Sequence, residues 1–148
     1  MKQDELKFIP LTMPQMFSLI PKRLFEQLDG AAFKVKNLYE YGPHLIASGC
    51  VFIYVLADDN NEIHGLLWMQ HDILSDELFI PMLSVDKDYQ QDFLATRNPL
   101  FDKCLDKARE IISARGLSNR IRIVTKRPKA YVRAGWKESE MLTMEMEL

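Results

Sequence analysis

The spacing of the hydrophobic positions changes several times along the chain, and each change predicts a different element. Residues 8–11 form a short apolar run that contains a proline, which is typical of a strand at the edge of a sheet. In the next stretch, apolar side chains recur at three- and four-residue steps, which predicts a helix that Pro21 divides into two short pieces. A second helical pattern covers residues 36–47, and its Gly42-Pro43 pair predicts an interruption.

The middle of the chain has the pattern of three consecutive strands. Residues 51–57 are an uninterrupted β-branched and aromatic run, which is typical of a strand covered on both faces. A polar turn and an apolar run at residues 63–69 complete a hairpin, in which Gly65 predicts a bulge or a close backbone approach. Residues 78–85 form the third strand, where Pro81 predicts a local failure of pairing because proline cannot donate to the ladder.

The clearest helix begins at Asn98-Pro99, a capping side chain followed by a proline whose missing N–H costs nothing at the first position. Its apolar face continues to Arg115-Gly116, which supplies a C-terminal cation and a left-handed stop. A strand at residues 121–124 and a short helix at residues 129–134 follow. The alternation of apolar and polar side chains in residues 141–148 predicts a last strand whose methionines fill the core.

The composition is that of one folded domain over residues 1–148. Hydrophobic residues make up 47% and charged residues 27% of the chain, which argues against disorder. No apolar run approaches the roughly 20 residues of a membrane helix, and the first residues lack the apolar stretch of a signal peptide. We therefore expect Cys50 and Cys104 to be reduced thiols in a cytoplasmic protein. The three histidines show no ligand spacing, so we expect no metal site.

Charge is distributed unevenly along the chain. Residues 97–137 contain twelve Lys or Arg and three acids, whereas the remainder contains seven basic and eighteen acidic residues. The C-terminal half therefore carries a positive field that would attract phosphate groups. Two interpretations stay open: a solvated basic face, or a surface for the phosphates of a nucleotide cofactor or of nucleic acid.

The order of the predicted elements, β-α-α-β-β-β-α-β-α-β, resembles that of the GNAT acyltransferase superfamily over nearly the whole chain. A segment similar to the end of the family's fourth strand reads Leu83-Ser84-Val85-Asp86-Lys87-Asp88-Tyr89-Gln90. A segment similar to the family's Tyr-x-x-x-Gly-Phe motif reads Tyr131-Val132-Arg133-Ala134-Gly135-Trp136. The resemblance implies an α/β (α+β) fold with a mixed, mostly antiparallel sheet of about six strands and helices on both faces.

One segment departs from the family pattern. Where the family has a glycine-containing loop that binds pyrophosphate, this chain reads Gln90-Gln91-Asp92-Phe93-Leu94-Ala95. Gln90 and Ala95 fit the pattern, but Phe93 replaces the central glycine. Glycine lets the backbone approach phosphate oxygens, whereas a phenyl ring obstructs that approach and the neighbouring carboxylate repels the anion. The departure predicts a weakened phosphate site.

The resemblance implies a site for acetyl-CoA where the fourth and fifth strands separate beyond Pro81. The acyl thioester would lie in this opening, and the backbone N–H groups of Leu83 and Val85 would polarise its carbonyl. Gln90 and Ala95 would contribute to the cofactor loop. A basic set lies where the family's cofactor phosphates and adenine approach, and it comprises Arg120, Arg122, Lys126, Arg127, Lys129 and Arg133.

The implied reaction is acetyl transfer to an amine of a small molecule or protein. Tyr131 is the best candidate for the general acid that returns a proton to the departing thiolate, because a phenol with an ordinary pKa of about 10 suits that role. The general base stays open among four residues, of which Glu40 lies near the family's acceptor-binding loop: Glu40, Asp86, Glu77 and His64.

Two alternatives belong to other functional classes. The first is a catalytically degenerate protein of the same fold that serves as a binding or structural module, as in divergent phage-related forms. The second is a divergent member that modifies nucleic acid through the basic half of the chain. Binding of acetyl-CoA would separate the transferase from both.

Overall fold

The computed structural model describes residues 6–27, 34–90, 99–125, 128–140 and 144–148. Its elements, in chain order, are β1 (Lys7–Leu11), a 3-10 helix (Pro14–Leu19), α1 (Lys22–Glu26), α2 (Val35–Ser48), β2 (Val51–Ala57), β3 (Ile63–Asp72), β4 (Glu77–Val85), a second 3-10 helix (Lys87–Tyr89), α3 (Pro99–Arg115), β5 (Ile121–Ile123) and α4 (Pro128–Arg133). This order confirms the predicted one as far as the short helix before the last strand.

The five described strands form one sheet in sequential order, β1-β2-β3-β4-β5. The first three pairings are antiparallel, while β4 and β5 run parallel. The sheet is therefore mixed and mostly antiparallel, as predicted, with five described strands instead of about six. The connection between β4 and β5 contains α3, which is the crossover that a parallel pair requires.

Apolar layers cover both faces of the sheet, which confirms the predicted placement of the helices. On one face, α3 packs Leu100 and Cys104 against the core. On the other face, the first 3-10 helix and α1 pack Phe17 and Leu24 against Trp68. Trp68 is fully buried, so its indole belongs to the core.

The predicted interruption at Gly42-Pro43 is wrong, because α2 is continuous with Pro43 inside it. Proline normally moves the preceding residue out of the helical region through contacts with that residue's Cβ, and Gly42 has none. Packing uses the same absence: a Cβ at Gly42 would lie 2.3 Å from Cε2 of Phe17. The ring of Phe17 therefore occupies the space that any other side chain would need.

The prediction for the last strand is also wrong in the part of it that the structure describes. Residues 144–148 form no strand, and Met144 and Met146 are 86% and 84% exposed instead of filling the core. Alternation shows that a segment is amphipathic, but a strand forms only where a sheet edge pairs with it. Within one chain, these described residues have no such partner.

The two cysteines are free thiols. Cys104 is buried in α3, and burial raises the pKa of its thiol to about 12, which keeps it protonated. Cys50 is half-buried before β2 instead of lying in the core. Within the described ranges, none of the helices has the length and apolar character needed to cross a membrane.

Candidate functional site

A β-bulge divides β4 in two. Trp68 pairs with Met82 and Gln70 with Phe79, so two residues of β4, Ile80 and Pro81, face a single residue of β3. The bulge reverses the orientation of the side chains, because Ile80 packs into the α3 side of the sheet and Met82 into the opposite side. This confirms the predicted failure of regular pairing at Pro81. Bulges often lie beside active sites, where they redirect a strand.

Pairing between β4 and β5 ends at the same place. The register runs from Leu78–Ile121 to Ile80–Ile123, and one further hydrogen bond joins Val124 N–H to Ile80 C=O. Beyond Ile80, β4 continues to Val85, paired with β3 alone among the described strands. An open edge of β4 therefore begins at the bulge.

The backbone groups of Leu83 and Val85 point toward this open edge. Asp86 N–H donates to His64 C=O at 2.8 Å, which makes Gly65–Val85 a non-hydrogen-bonded pair of the antiparallel ladder. Leu83 lies two residues before Val85 and has the same orientation, because backbone groups alternate along a strand. No described residue accepts a hydrogen bond from either N–H group. Their role toward a thioester carbonyl stays a prediction.

Gln90 lies at the far end of this edge. Its Nε2 donates to Val85 C=O at 2.7 Å and to Gln27 Oε1 at 3.0 Å. Gln27 follows α1 and also lies 3.4 Å from Ser84 Oγ. The predicted cofactor residue Gln90 therefore ties the chain after β4 back to the strand and to the residue that follows α1, and it occupies the C=O of Val85 but not its N–H.

Tyr131 lies in α4, where its side chain is buried. Its ring stands edge-on to Phe101, at a centroid distance of 6.2 Å, and to Trp136, at 5.3 Å. Trp136 N–H donates to Tyr131 C=O, which folds the following segment over the same ring. Phe101 belongs to the first turns of α3, so Tyr131 lies at the N-terminal end of that helix.

Asp86 is held by an arginine that the sequence did not single out. Arg23 of α1 forms a two-point contact with its carboxylate, Nε to Oδ1 at 2.9 Å and Nη2 to Oδ2 at 2.8 Å. Arg23 Nη2 also donates to Ile63 C=O at 2.6 Å. The hydrogen bonds from Arg23 and then from His64 lower the pKa of Asp86 below its ordinary value. A carboxylate held in this way is a weak base.

His64 continues the same network to the β2–β3 turn. Its Nδ1 lies 3.0 Å from Asp86 Oδ2 and its Nε2 lies 2.8 Å from Asp58 Oδ2. Burial disfavours a charged imidazole, but the hydrogen bonds to Asp58 and Asp86 outweigh it and raise the pKa of His64. A doubly protonated ring donates to both carboxylates, and it lies against the ring of Tyr89 at 5.0 Å.

The other oxygen of Asp58 closes the turn. Asp58 Oδ1 accepts the N–H groups of Asn60 and Glu62, at 2.8 and 3.0 Å. Asp58, Glu62 and His64 each place one potential metal-ligand atom within 4.8 Å of the others. The ion pair between His64 and Asp58 already accounts for this grouping, so we treat it as a charge network.

The remaining candidate bases lie apart from this network. Glu40 is exposed on α2, and no described residue forms an ion pair with it. Glu77 lies at the opposite end of β4, where Arg120 Nη2 donates to its Oε1 and Arg122 Nε lies 2.9 Å from its Oε2. The second approach is an ion-pair contact without hydrogen-bond alignment. Glu77 is therefore a structural partner of the arginines.

The basic half of the chain is partly neutralised. Arg120 and Arg122 pair with Glu77, and Arg122 Nη2 also donates to Asp72 Oδ2 at 2.7 Å. These contacts give the nucleic-acid alternative no support. The predicted cofactor residues Ala95 and Arg127 lie outside the described residues, as do Asp92, Phe93 and Lys126.

No protein-family model and no curated protein sequence matches the chain. Solved structures do match. AAC(6')-Iy, in complex with the bisubstrate analogue CoA-S-monomethyl-acetylneamine, has a TM-score of 0.67 and 12% identity over 97% of this chain and 98% of its own. A GCN5-related N-acetyltransferase from Ralstonia eutropha JMP134 has a TM-score of 0.64 and 14% identity over 95% and 98%. The spermidine/spermine N-acetyltransferase SpeG from Vibrio cholerae has a TM-score of 0.61 and 15% identity over 88% of this chain and 77% of its own.

At these sequence identities the likeness establishes the fold. The chain has the fold of the GCN5-related N-acetyltransferases, over almost the whole of its length, as its sequence predicted. The same fold can carry different chemistry, so function has to be argued from the site.

Proposed function

We propose that this chain is an N-acyltransferase that transfers an acetyl group from acetyl-CoA to an amine. The observation that carries the proposal is the open edge of β4, where the N–H groups of Leu83 and Val85 point away from β3 beyond the bulge at Pro81. Two of the matching structures support the choice of an amine acceptor: one is in complex with a bisubstrate analogue that contains CoA, and one is named a spermidine/spermine N-acetyltransferase.

Acetyl-CoA supplies the acyl group as a thioester, and the chain supplies hydrogen-bond donors for its carbonyl. Negative charge develops on that oxygen when an amine attacks, and N–H groups fixed by a strand stabilise the charge without reorganising. Leu83 and Val85 are fixed in this way by the ladder with β3. The proposal thus assigns to β4 the role of an oxyanion-stabilising surface.

Tyr131 is the proposed general acid. Phe101 and Trp136 pack edge-on against its ring, and a ring restricted by its neighbours loses less rotamer freedom when its hydroxyl meets a substrate. A phenol donates a proton to a thiolate, and a positioned acid contributes roughly 100- to 10,000-fold to a rate.

Glu40 is the proposed general base for the amine. Asp86 is less suited, because Arg23 and His64 hold its carboxylate and lower its pKa. Asp86 instead positions the end of β4, since Arg23 joins it to Ile63 C=O on the neighbouring strand.

The test combines binding and turnover. Calorimetry with acetyl-CoA and with CoA should detect saturable binding, and release of free thiol in the presence of polyamines or aminoglycosides should detect transfer. Tyr131→Phe should lower kcat by about 100-fold or more while acetyl-CoA still binds. The matched control is Tyr54→Phe, which removes a hydroxyl from a half-buried tyrosine of β2 that packs against Phe8 and is separated from β4 by β3.

Three results would reject the proposal. Absence of acetyl-CoA binding at millimolar concentration would favour the binding or structural module. Full activity of Tyr131→Phe would exclude Tyr131 as the general acid. An equal loss of activity in Tyr54→Phe would assign the effect of Tyr131→Phe to packing.

A further inference from the structure

The direction of the Val85 N–H group depends on the residue that follows it. Because Gly65–Val85 is a non-hydrogen-bonded pair of the ladder, the backbone groups of Val85 point away from β3. Its C=O accepts from Gln90 Nε2 at 2.7 Å. The next residue, Asp86, is joined to β3 by a hydrogen bond from its N–H to His64 C=O at 2.8 Å. The orientation of the Val85 N–H therefore depends on how firmly Asp86 is fixed.

The carboxylate of Asp86 has two cationic partners on different elements. Arg23 of α1 contacts both of its oxygens, at 2.9 and 2.8 Å, and also donates to Ile63 C=O at 2.6 Å. His64 of β3 contacts only Oδ2, with its Nδ1 at 3.0 Å. A two-point contact with a planar guanidinium fixes both the position and the rotation of a carboxylate. Arg23 is therefore the stronger restraint on Asp86.

The two partners also differ in the pH range over which they are charged. A guanidinium keeps its charge at every pH at which proteins are folded, and the hydrogen bond with Asp86 raises the pKa of Arg23 further. Burial disfavours a charged imidazole in His64, but the hydrogen bonds to Asp58 and Asp86 outweigh it and raise the pKa of the ring. Above that raised pKa one of the two ring nitrogens loses its proton.

A neutral imidazole at His64 cannot donate to both of its carboxylate partners. Nδ1 faces Asp86, and Nε2 faces Asp58 Oδ2 at 2.8 Å, whereas a neutral ring has one N–H and one lone pair. The lone pair repels the carboxylate that it faces, so one of the two contacts opens. Asp58 is held independently, because its Oδ1 accepts two backbone N–H groups of its turn. Asp86 is held independently only by Arg23.

Four elements place charged or titratable groups around His64: α1, the β2–β3 turn, the end of β4 and the second 3-10 helix. In chain order these groups are Arg23, Asp58, Glu62, Asp86 and Tyr89. Histidine is the residue type in this set whose ordinary pKa lies nearest neutrality. We therefore assign to His64 any change of charge in the set near neutral pH.

We propose that Arg23 is a positioning residue that keeps the N–H of Val85 in place in both protonation states of His64. The inference rests on the proposed acyl transfer, which gives this N–H its role toward the thioester carbonyl. With Arg23 present, loss of the imidazole proton opens a contact of His64 without releasing Asp86. Without Arg23, Asp86 is fixed only while the ring is charged, so transfer falls as the pH rises and the ring loses its proton.

The experiment compares Arg23→Gln with the native chain from pH 6 to 9. Thiol release at saturating acetyl-CoA and amine gives kcat, and the value for the variant is divided by the native value at the same pH. The ratio cancels the pH dependence of the general acid and base. We expect a small loss at pH 6 and a loss approaching about 100-fold at pH 9, which is the scale expected when a catalytic group is displaced by about 1 Å.

The matched control is Arg109→Gln. Arg109 forms an exposed ion pair with Asp106 on α3 at 2.8 Å, so the same substitution removes a charge away from β4 and should leave the rate native at every pH. Arg23→Lys should recover part of the loss, because an ammonium keeps the charge without the two-point contact. Circular dichroism checks that each variant is folded, and Arg23→Lys takes the place of Arg23→Gln if the latter is not.

Hydrogen exchange at the N–H of Asp86, measured without ligand, gives a readout that does not depend on activity. Its protection factor should fall with rising pH in Arg23→Gln and stay constant in the native chain. A rate ratio that is constant across the pH range, an equal loss in Arg109→Gln, or unchanged protection of Asp86 would each overturn the positioning role. Absence of turnover in the native chain would reject the acyl transfer itself, whereas native turnover with a constant ratio rejects the positioning role alone.

Discussion

From its second residue β4 is paired on both sides, whereas at its last residue it is paired on one side only among the described strands. Near Glu77 the strand pairs with β3 and β5, and its buried carboxylate is contacted by Arg122 of β5 and by Arg120, which directly precedes β5. Near Val85 the strand pairs with β3 alone among the described strands. The charged groups there are Asp86, which directly follows the strand, and its partners Arg23 of α1 and His64 of β3. The bulge at Pro81 separates the two regimes.

The comparison shows how one strand can serve both stability and binding. Charges at the Glu77 end join neighbouring strands, so their loss should loosen the sheet. Charges at the Val85 end fix the strand to α1, and the N–H groups of Leu83 and Val85 have no acceptor among the described residues. An unpaired backbone donor is costly when it is buried and useful when a ligand accepts from it.

Replacing Glu77 by Gln should have the largest effect on stability. The change leaves Arg120 and Arg122 without their buried carboxylate, so we expect a loss of about 2–3 kcal/mol of unfolding free energy. Urea denaturation followed by circular dichroism measures it.

Asp76→Asn is the control, because Asp76 is exposed in the adjoining turn and its contact with His71 is 3.4 Å. It should change stability by less than about 1 kcal/mol. Equal effects of the two variants would show that the Glu77 end is not held together by its charges.

Replacing His64 by Gln should have an intermediate effect, about 1 kcal/mol near neutral pH, because both ring hydrogen bonds carry charge. The pKa of His64 is raised in the folded state, so its contribution is complete below the ordinary histidine pKa of about 6.5 and is lost as the pH rises through the raised value. The pKa values of Asp58 and Asp86 are lowered, so their contributions are lost only as the pH falls through those values.

Unfolding free energies from pH 5 to 9 test this sign. The difference between the native chain and His64→Gln should shrink toward alkaline pH. A difference that grows with pH would contradict the doubly protonated ring.

Replacing Gln90 by Met should have the smallest effect, about 0.5 kcal/mol, because water can replace its amide at Val85 C=O. Gln15→Met, an exposed change on the first 3-10 helix, is the control and should be neutral. Thermal denaturation measures both. A loss above about 2 kcal/mol would mean that Gln90 is a structural support of the Val85 end, beyond what a neutral hydrogen bond explains.

Local signals predicted much of the fold. Periodicity gave β2, β3, β4 and α3, and single residues gave the break at Pro21 and the bulge at Pro81. The register also confirms the bulge predicted at Gly65, because Leu56 pairs with Gly65 while Ala57 pairs with Ile63. These features depend on residues that are close in sequence, so they can be predicted from one sequence alone.

Features that depend on distant contacts could not be predicted. Arg23 and Asp86 are 63 residues apart, and nothing around Arg23 marks it as the partner of a strand end. The Gly42-Pro43 pair predicted a break, because its sequence neighbours do not show that the ring of Phe17 packs against Gly42 in a continuous helix. The roles of Tyr131, Glu40, Leu83 and Val85 stay predictions, because their chemistry depends on ligands.

The packing of the Phe17 ring against Gly42 has a spectroscopic consequence. The same ring stands edge-on to the indole of Trp68, at a centroid distance of 6.1 Å and an angle of 84°. Separation of α2 from the first 3-10 helix would release the ring of Phe17 and expose the buried indole of Trp68 to solvent. The fluorescence of Trp68 should therefore report whether α2 and the first 3-10 helix are packed together on the sheet.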